Sequence, residues 1–248
     1  MPSTPTIVIA GTSSGVGKTT ATVGLMRTLH AAGLRVAPFK VGPDFLDGLQ
    51  HSLACQSPSI NLDGWMLGKD GVLAAFHRAT IDADIAIVEG CMGLHDGRDG
   101  TSDDGSTAQV AKWLDAPVLL VVDAWSLARS AAAMVHGYAT FDPEVRLGGV
   151  LFNRVAGTSH GEWIKQAMAS APSTSKVAVL GCLPSDQKVA IGEKLLGLLP
   201  PGAADAVNSP SQRRLHALEQ LINAHVDLQA LRTLAASASP PLPALSLT

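Results

Sequence analysis

Residues 6–20 read TIVIAGTSSGVGKTT, an apolar run followed directly by a glycine-rich loop that ends in GKT. The apolar residues of Thr6–Ala10 do not alternate with polar ones, which is typical of a strand buried on both faces. A helix is expected over 17–32, directly after the loop. Glycines here let backbone N–H groups converge on phosphate oxygens, and the helix N-terminus adds the positive end of its dipole. The stretch therefore predicts a binding site for a nucleoside triphosphate.

Each part of this loop has an expected role. Lys18 would reach the β- and γ-phosphates, and the Thr19 hydroxyl would bind Mg²⁺. The spacing departs from the usual G-x4-G-K-[ST], because five residues separate Gly11 from Gly17. The longer loop leaves the physics of phosphate binding unchanged. The residues expected to bind the nucleotide are Gly11, Gly15, Val16, Gly17, Lys18, Thr19 and Thr20.

Apolar runs of strand length recur along the chain, with helical patterns between them. They are rich in Val, Ile and Leu, as parallel strands covered on both faces are. This alternation predicts an α/β fold with a doubly wound, mostly parallel sheet. The predicted strands are Thr6–Ala10, Arg35–Phe39, Ile85–Glu89, Pro117–Val122, Leu147–Phe152 and Val177–Leu183. The predicted helices are Gly17–Ala32, Lys69–Ala79, Ser106–Leu114, Leu127–Ala139 and Gly161–Ala169.

The composition shifts near Pro200, where we expect the α/β domain (1–200) to end. Residues 201–236 are interpreted as a helical extension, with one or two surface helices split near His225. Residues 237–248, SASPPLPALSLT, are typical of a tail or linker.

Composition and charge exclude several classes of protein. The chain has 248 residues, 46% apolar and 16% charged, with a formal net charge of −3, too low for binding nucleic acid or anionic lipid by bulk electrostatics. Mean hydropathy is +0.23, but the longest apolar run, 116–122, is far shorter than the about 20 residues of a membrane-spanning helix. The three cysteines lie far apart, and no secretory signal is visible. We expect a cytoplasmic protein without disulfides.

Acidic residues follow several predicted strands. Asp44 and Asp47 come after the second strand, beside Lys40, and Glu89 ends the third. Ligands of parallel sheets bind outside the carboxyl ends of the strands, so these groups are expected to meet near the nucleotide. Mg²⁺ takes one or two carboxylates and keeps several waters. Glu89, with Asp44 or Asp47, is the expected set.

The next helix begins at Gly105-Ser106-Thr107, where Ser106 or Thr107 is the expected N-cap. Its free N–H groups could receive an anionic group of a substrate, and an ordinary cap is an equal alternative. The preceding segment, Asp96–Ser106, lacks the order of an EF-hand loop and is interpreted as a flexible active-site loop.

Six motifs occur in order between about residues 7 and 199 and together carry a resemblance. They are Gly11–Thr20 (GTSSGVGKTT), Lys40–Asp47 (KVGPDFLD) with His51, Asn61–Met66 (NLDGWM), Val88–Gly97 (VEGCMGLHDG), Gly105–Ala111 (GSTAQVA) and Leu151–Arg154 (LFNR). The combination resembles the N-terminal ATP-binding domain of the cobyrinic acid a,c-diamide synthases, which is similar to dethiobiotin synthetase. The resemblance implies a phosphate-loop NTPase fold, with residues 1–200 as the ATP-binding amide-synthetase domain.

The resemblance also implies a reaction, in which ATP phosphorylates a side-chain carboxylate of a corrinoid acid and ammonia converts the acyl phosphate to an amide. Lys18, Mg²⁺ and Lys40 would supply positive charge where the phosphoryl group transfers. By the same resemblance, Thr19, Asp44 and Glu89 would hold Mg²⁺, Asp47 and Asp96 would position substrate or ammonia, and Asn153 would bind the adenine edge. Arg129 would meet a substrate carboxylate, with Ser106 and Thr107 as further substrate contacts. A turn cap for Asn153 and a solvated side chain for Arg129 are the alternatives.

Members of this family usually continue into a glutaminase half, and nothing after Leu199 could build one. Ammonia would then come from solution or from a separate glutaminase subunit. Whether the corrinoid is cobyrinic, hydrogenobyrinic or another tetrapyrrole acid is open, as is a homodimer. A dethiobiotin synthetase-type ligase, a partition-type regulatory ATPase and an inactive fragment of a longer protein are the other hypotheses.

Overall fold

Parallel strands form the centre of the molecule, of which the computed structural model describes residues 3–174, 176–186, 189 and 210–243. The strands are β1 Thr6–Gly11, β2 Val36–Val41, β3 Ile60–Leu62, β4 Ile85–Glu89, β5 Val118–Asp123, β6 Leu147–Val155 and β7 Ala178–Pro184. They form one sheet in the order β3-β2-β4-β1-β5-β6-β7, and every neighbouring pair is parallel. The predicted doubly wound α/β fold is confirmed.

Helices cover both faces of this sheet. They are α1 Lys18–Ala31, α2 Leu46–Cys55, α3 Gly64–Thr80, α4 Thr107–Trp113, α5 Ser130–Phe141, α6 Thr158–Ser170, α7 Pro210–His225 and α8 Leu228–Ala235. Buried residues of α3 to α6 form one core layer, and those of α1, α2, α7 and α8 form the other. Within β1, Val8 contributes to the first layer and Ile9 to the second. Strands buried on both sides explain why their sequences lack polar alternation.

The six predicted strands are confirmed, with the same bounds for β4 and shifts of at most three residues for the others. The sequence analysis missed β3 and α2. The strand β3 has only three residues, one of them Asn61, and α2 follows a loop without an apolar period. The helix α3 begins five residues before the expected Lys69, because Asp63 caps its N-terminus, and its backbone kinks at Gly68 (φ 64°, ψ 175°). The regular part of the helix therefore starts close to the expected position.

The C-terminal helices are separated after His225, as expected, and their inner sides are part of the core. Leu218 and Ile222 are fully buried. The close approach of α7 to α1 depends on Gly24, since a Cβ there would lie 2.7 Å from Cγ1 of Ile222. An ion pair between Arg27 and Glu219, 3.1 Å apart, joins the same two helices. The helix α7 therefore completes the core on this face.

The first part of the expected tail, Ser237–Pro243, lies against the opposite face. Its residue Ala238 is buried there, and the Ser239 amide donates to the Asp115 carbonyl at 3.1 Å. The expected boundary near residue 200 and residues 244–248 lie outside the described residues. Within the described part of the chain, no helix has the length and apolar character that crossing a membrane would need.

Candidate active site

The loop between β1 and α1 is folded tightly around the side chain of Lys18. Gly15 and Gly17 have φ angles of 78° and 97°, a left-handed backbone that favours glycine. The Lys18 side chain is 8% exposed, and its Nζ donates to the Ser13 carbonyl at 2.9 Å. Burial lowers the pKa of Lys18. No side chain caps the N-terminus of α1, so its first N–H groups face the loop, as in phosphate-binding sites.

Glu89 is the buried acid at the centre of the site. Its Oε1 accepts a hydrogen bond from Thr19 Oγ1 at 2.6 Å, and its Oε2 accepts one from His51 Nε2 at 2.6 Å. Burial by itself would raise the pKa of Glu89, but the hydrogen bond from His51 and the charge of Lys40 outweigh it and lower the pKa. The carboxylate is therefore ionised although it is removed from water.

Lys40 stands beside Glu89 because the two residues are partners in the β2–β4 register. The Lys40 side chain is 2% exposed, donates to the Gly90 carbonyl at 2.7 Å, and pairs with Asp47 at 3.4 Å. Burial and the neighbouring charge of Glu89 raise the pKa of Asp47 to about 6, against the opposing effect of Lys40. Two cations and two acids thus share a poorly solvated space, where their interactions are stronger than in water.

Asp44 anchors the loop that follows β2. Its Oδ1 accepts hydrogen bonds from the amides of Leu46 at 2.9 Å and Asp47 at 3.1 Å, at the start of α2. The Asn61 amide donates to the carbonyls of Gly42 and Asp44, at 2.6 and 3.0 Å, and ties β3 to the same loop. The loop therefore holds Asp44 at the carboxyl end of β2.

Asn153 and Arg154, near the carboxyl end of β6, contact the opposite side of the phosphate loop. The Asn153 side-chain amide donates to the Val16 carbonyl at 2.9 Å and lies against Gly17, where a Cβ would be 2.1 Å from Asn153 Nδ2. The Arg154 guanidinium donates to the Gly15 carbonyl at 2.6 Å and pairs with Asp123 at 2.9 Å. Sequence reasoning assigned no role to Arg154.

A cleft of about 590 Å³ joins these groups. Its lining includes most of the residues expected to bind nucleotide, metal or substrate, together with Arg154 and the segment after β7. The expected residues that line it are Gly15, Gly17, Lys18, Thr19, Thr20, Lys40, Asp44, Asp47, Glu89 and Asn153. Gly11 and Val16 are not part of this lining and pack closely against each other, because a Cβ at Gly11 would lie 2.7 Å from Val16 Cγ2.

Four expected substrate or positioning residues do not line the cleft. Asp96 accepts the Gly93 amide at 2.9 Å, and Ser106 caps α4 by accepting the Gln109 amide at 3.1 Å. Thr107 is buried and bonds to the backbone of Cys91, which does line the cleft. Arg129 is exposed at the start of α5. Their expected contacts with substrate stay predictions.

His51 belongs to this site, but no role was predicted for it from the sequence. The missed helix α2 places Asp47 and His51 four residues apart, on one face. Asp44 could have indicated the helix α2, because an Asp directly before a helix-length segment is typical of a helix start.

Comparisons with known proteins agree with this geometry. Residues 7–196 match the model of the CbiA family, described as the CobQ/CobB/MinD/ParA nucleotide binding domain. The chain is 47% identical to the cobyrinate a,c-diamide synthase of Syntrophotalea carbinolica, over 99% of this chain and 52% of that protein. It is 45% identical to the hydrogenobyrinate a,c-diamide synthase of Streptomyces coelicolor, over 94% of this chain and 46% of that protein. The chain thus spans about half the length of the curated relatives it matches.

Solved structures with low sequence identity share the fold. The signal recognition particle receptor FtsY from Elizabethkingia anophelis has a TM-score of 0.52 and 16% identity, over 88% of this chain and 66% of that one. The cell division protein FtsY from Thermotoga maritima has a TM-score of 0.51 and 18% identity, over 88% of this chain and 69% of that one. This likeness concerns the architecture alone.

Proposed function

We propose that this chain, which belongs to the CobQ/CobB/MinD/ParA nucleotide binding domain family, uses ATP to activate the a and c side-chain carboxylates of a corrinoid acid for amidation. The observation that carries the proposal is the cleft in which the phosphate loop, Lys40 and Glu89 meet. The names of the relatives, cobyrinate and hydrogenobyrinate a,c-diamide synthase, supply the substrate class. The proposal assigns ATP binding to residues 1–200, with 201–236 as a helical extension and 237–248 as a tail.

The nucleotide would lie along the phosphate loop. The backbone of Gly15 and Gly17 and the N-terminus of α1 would surround the phosphates, and Lys18 would exchange its bond to Ser13 for one to a phosphate oxygen. The Asn153 carboxamide would face the adenine edge while its amide group keeps the bond to Val16.

The donor chemistry of the site fits Mg²⁺. Thr19, Glu89 and Asp44 line the cleft and supply hydroxyl and carboxylate oxygens, and Mg²⁺ binds through one or two carboxylates together with phosphate and water oxygens. The described residues contain no group of three His, Cys, Asp or Glu arranged as a complete metal centre. When bound, Mg²⁺ would neutralise charge on the phosphates.

The proposed amidation of each carboxylate has two steps. An oxygen of the substrate carboxylate attacks the γ-phosphorus of ATP. The bond between that phosphorus and the bridging oxygen breaks, which releases ADP and forms an acyl phosphate. Ammonia then attacks the acyl carbon, loses a proton to solvent, and expels inorganic phosphate to leave the amide. Lys18 and Lys40 stabilise the negative charge of the transferring phosphoryl group, and Asp47 holds Lys40 in place.

Ammonia comes from solution or from a separate glutaminase subunit in this proposal. The test incubates the chain with cobyrinic acid, MgATP and ammonium chloride, or with glutamine instead, and analyses the corrinoid by mass spectrometry. We expect a diamide and two ADP for each diamide with ammonium chloride, and the incubation with glutamine shows whether this chain needs ammonia from another source. ADP release that does not depend on the corrinoid, with no amide formed, would refute the proposal.

A further inference from the structure

His51 has a place in the site that the proposed reaction leaves unexplained. Its ring is fully buried on α2, and Nε2 lies 2.6 Å from Oε2 of Glu89, whose own side chain is 1% exposed. A buried polar ring is retained at low cost only when both nitrogens find partners. The question is what the contact does for the acid.

Both ends of the imidazole are fixed. The second nitrogen, Nδ1, lies 3.2 Å from Ser59 Oγ. The Ser59 amide in turn donates to Ser52 Oγ at 3.0 Å, and the Ser52 hydroxyl donates to the Gly48 carbonyl at 2.9 Å. These bonds tie the ring to α2 and to the segment before β3, so the ring cannot turn without breaking them.

The Glu89 carboxylate is consequently held from two sides. Thr19 donates to Oε1, and His51 occupies Oε2. The neighbouring cation Lys40 is engaged by the Gly90 carbonyl and by Asp47. Without His51, the carboxylate would be free to rotate toward Lys40, and its bond to Thr19 would no longer define its orientation.

We propose that His51 is a positioning residue, whose hydrogen bond fixes Glu89 so that the acid and the Thr19 hydroxyl together receive the Mg²⁺ that accompanies the nucleotide. This inference rests on the nucleotide and metal part of the proposed function and not on the corrinoid. Partners behind a metal-binding group typically change metal affinity or activity by about 10- to 100-fold when removed.

The test compares His51→Phe, which keeps an aromatic ring without donors, with His51→Gln, whose amide can place an N–H near the position of Nε2. Binding of a non-hydrolysable ATP analogue is measured by calorimetry in EDTA and across a Mg²⁺ titration. We expect His51→Phe to raise the Mg²⁺ midpoint at least about tenfold, while affinity in EDTA stays within about twofold. His51→Gln should return the midpoint to within about threefold of the wild type.

Thr80→Val is the matched control, because Thr80 is a buried polar residue on α3 whose hydroxyl donates to carbonyls of its own helix and which does not line the cleft. It should lower the melting temperature without moving the Mg²⁺ midpoint. Equal losses of affinity in EDTA and in Mg²⁺ for His51→Phe, or a change in melting temperature alone, would show a merely structural role and overturn the inference.

If His51→Phe does not fold, His51→Gln decides: a folded His51→Gln with a midpoint shifted tenfold contradicts the inference, and one within threefold supports it. The outcomes also separate the two proposals. A wild-type chain that binds the nucleotide with Mg²⁺ but forms no amide refutes the proposed function and leaves the His51 comparison intact. Nucleotide binding by the wild type that does not respond to Mg²⁺ overturns the inference.

Discussion

Two acid-bearing regions follow strands at the same edge of the sheet and differ in how their charges are held. At the ends of β2 and β4, Asp47 and Glu89 are largely removed from water, and each faces a cation or a buried donor. In the loop 96–106, Asp99 is exposed and accepts hydrogen bonds from the backbone and hydroxyls of Thr101 and Ser102, at 2.9 to 3.1 Å. The first region joins four elements, and the second organises its own turn.

The two regions differ in the free energy that is needed to bury their charges. A buried charge without a partner is expensive, so the first region persists only with its full network. An exposed carboxylate costs little and gains little, so Asp99 is expected to tolerate substitution. We therefore expect function to depend steeply on the buried acids Asp47 and Glu89 and weakly on Asp99.

The largest effect is expected for Lys18→Ala, which removes the cation that the phosphate loop encloses. Corrinoid-dependent ADP formation should fall by at least about 10²-fold, because charge stabilisation at the phosphoryl group is lost. Lys165→Ala is the control, since Lys165 is half-exposed and paired with Glu162 at 2.9 Å. Steady-state ADP release measures both, and near wild-type turnover of Lys18→Ala would show that the cleft is not the site.

Glu89→Gln tests the comparison most sharply, because the substitution keeps shape and removes charge. The new side-chain amide would turn an N–H toward a group that donates to the carboxylate in the wild type, either the Thr19 hydroxyl or the His51 ring. Turnover that depends on Mg²⁺ should fall by about 10²-fold, whereas Asp99→Asn in the loop should stay within about twofold. Equal effects of the two substitutions would erase the distinction between the regions.

Leu218→Ala tests the stability of the fold independently of the buried charged residues of the site. Leu218 is fully buried on α7, and its truncation should lower the free energy of unfolding by about 2–5 kcal/mol, as core truncations do. The exposed Gln220 on the same helix provides Gln220→Ala as control, expected within about 0.5 kcal/mol. Urea titration measures both. A Leu218→Ala chain of wild-type stability would mean that α7 is not part of the core.

The smallest effect concerns the loop and its dependence on pH. Hydrogen bonds from Thr101 and Ser102 lower the pKa of Asp99 to about 2. A carboxyl whose pKa is lower in the folded state stabilises the fold above its ordinary pKa of 3.8, and loses that contribution as pH falls toward 2. Asp99→Asn should therefore lower the urea midpoint slightly at pH 7 and not at pH 2. A larger deficit at pH 2 would contradict this.

The sequence carried enough information for the sheet and the phosphate loop, because both depend on local patterns. Continuous apolar runs predicted β1, β4 and β5 within a residue. A helix was also expected in the region of α7, and Leu215, Leu218 and Ile222, which form its inner side, recur at helical spacing.

The contacts of the candidate site were less accessible to sequence. Glu89 meets Lys40 and His51 only because β2 pairs with β4, although α2, β3 and α3 lie between these strands in the chain. Nothing local in the sequence states that strand order. The short helix α2 was missed, and with it the alignment of His51 toward Glu89. Ser106 was expected as a possible N-cap, which the structure confirms, and Asp96 was singled out after the strand β4; the observed bonds of both are to nearby backbone.

Trapping of the activated carboxylate tests the central claim most directly. The chain is incubated with cobyrinic acid, MgATP and hydroxylamine in place of ammonia, and both corrinoid hydroxamate and ADP are measured. We expect one ADP for each hydroxamate formed, and neither product with Lys18→Ala. Release of ADP by the wild type at the same rate with and without the corrinoid, and without hydroxamate, would contradict it.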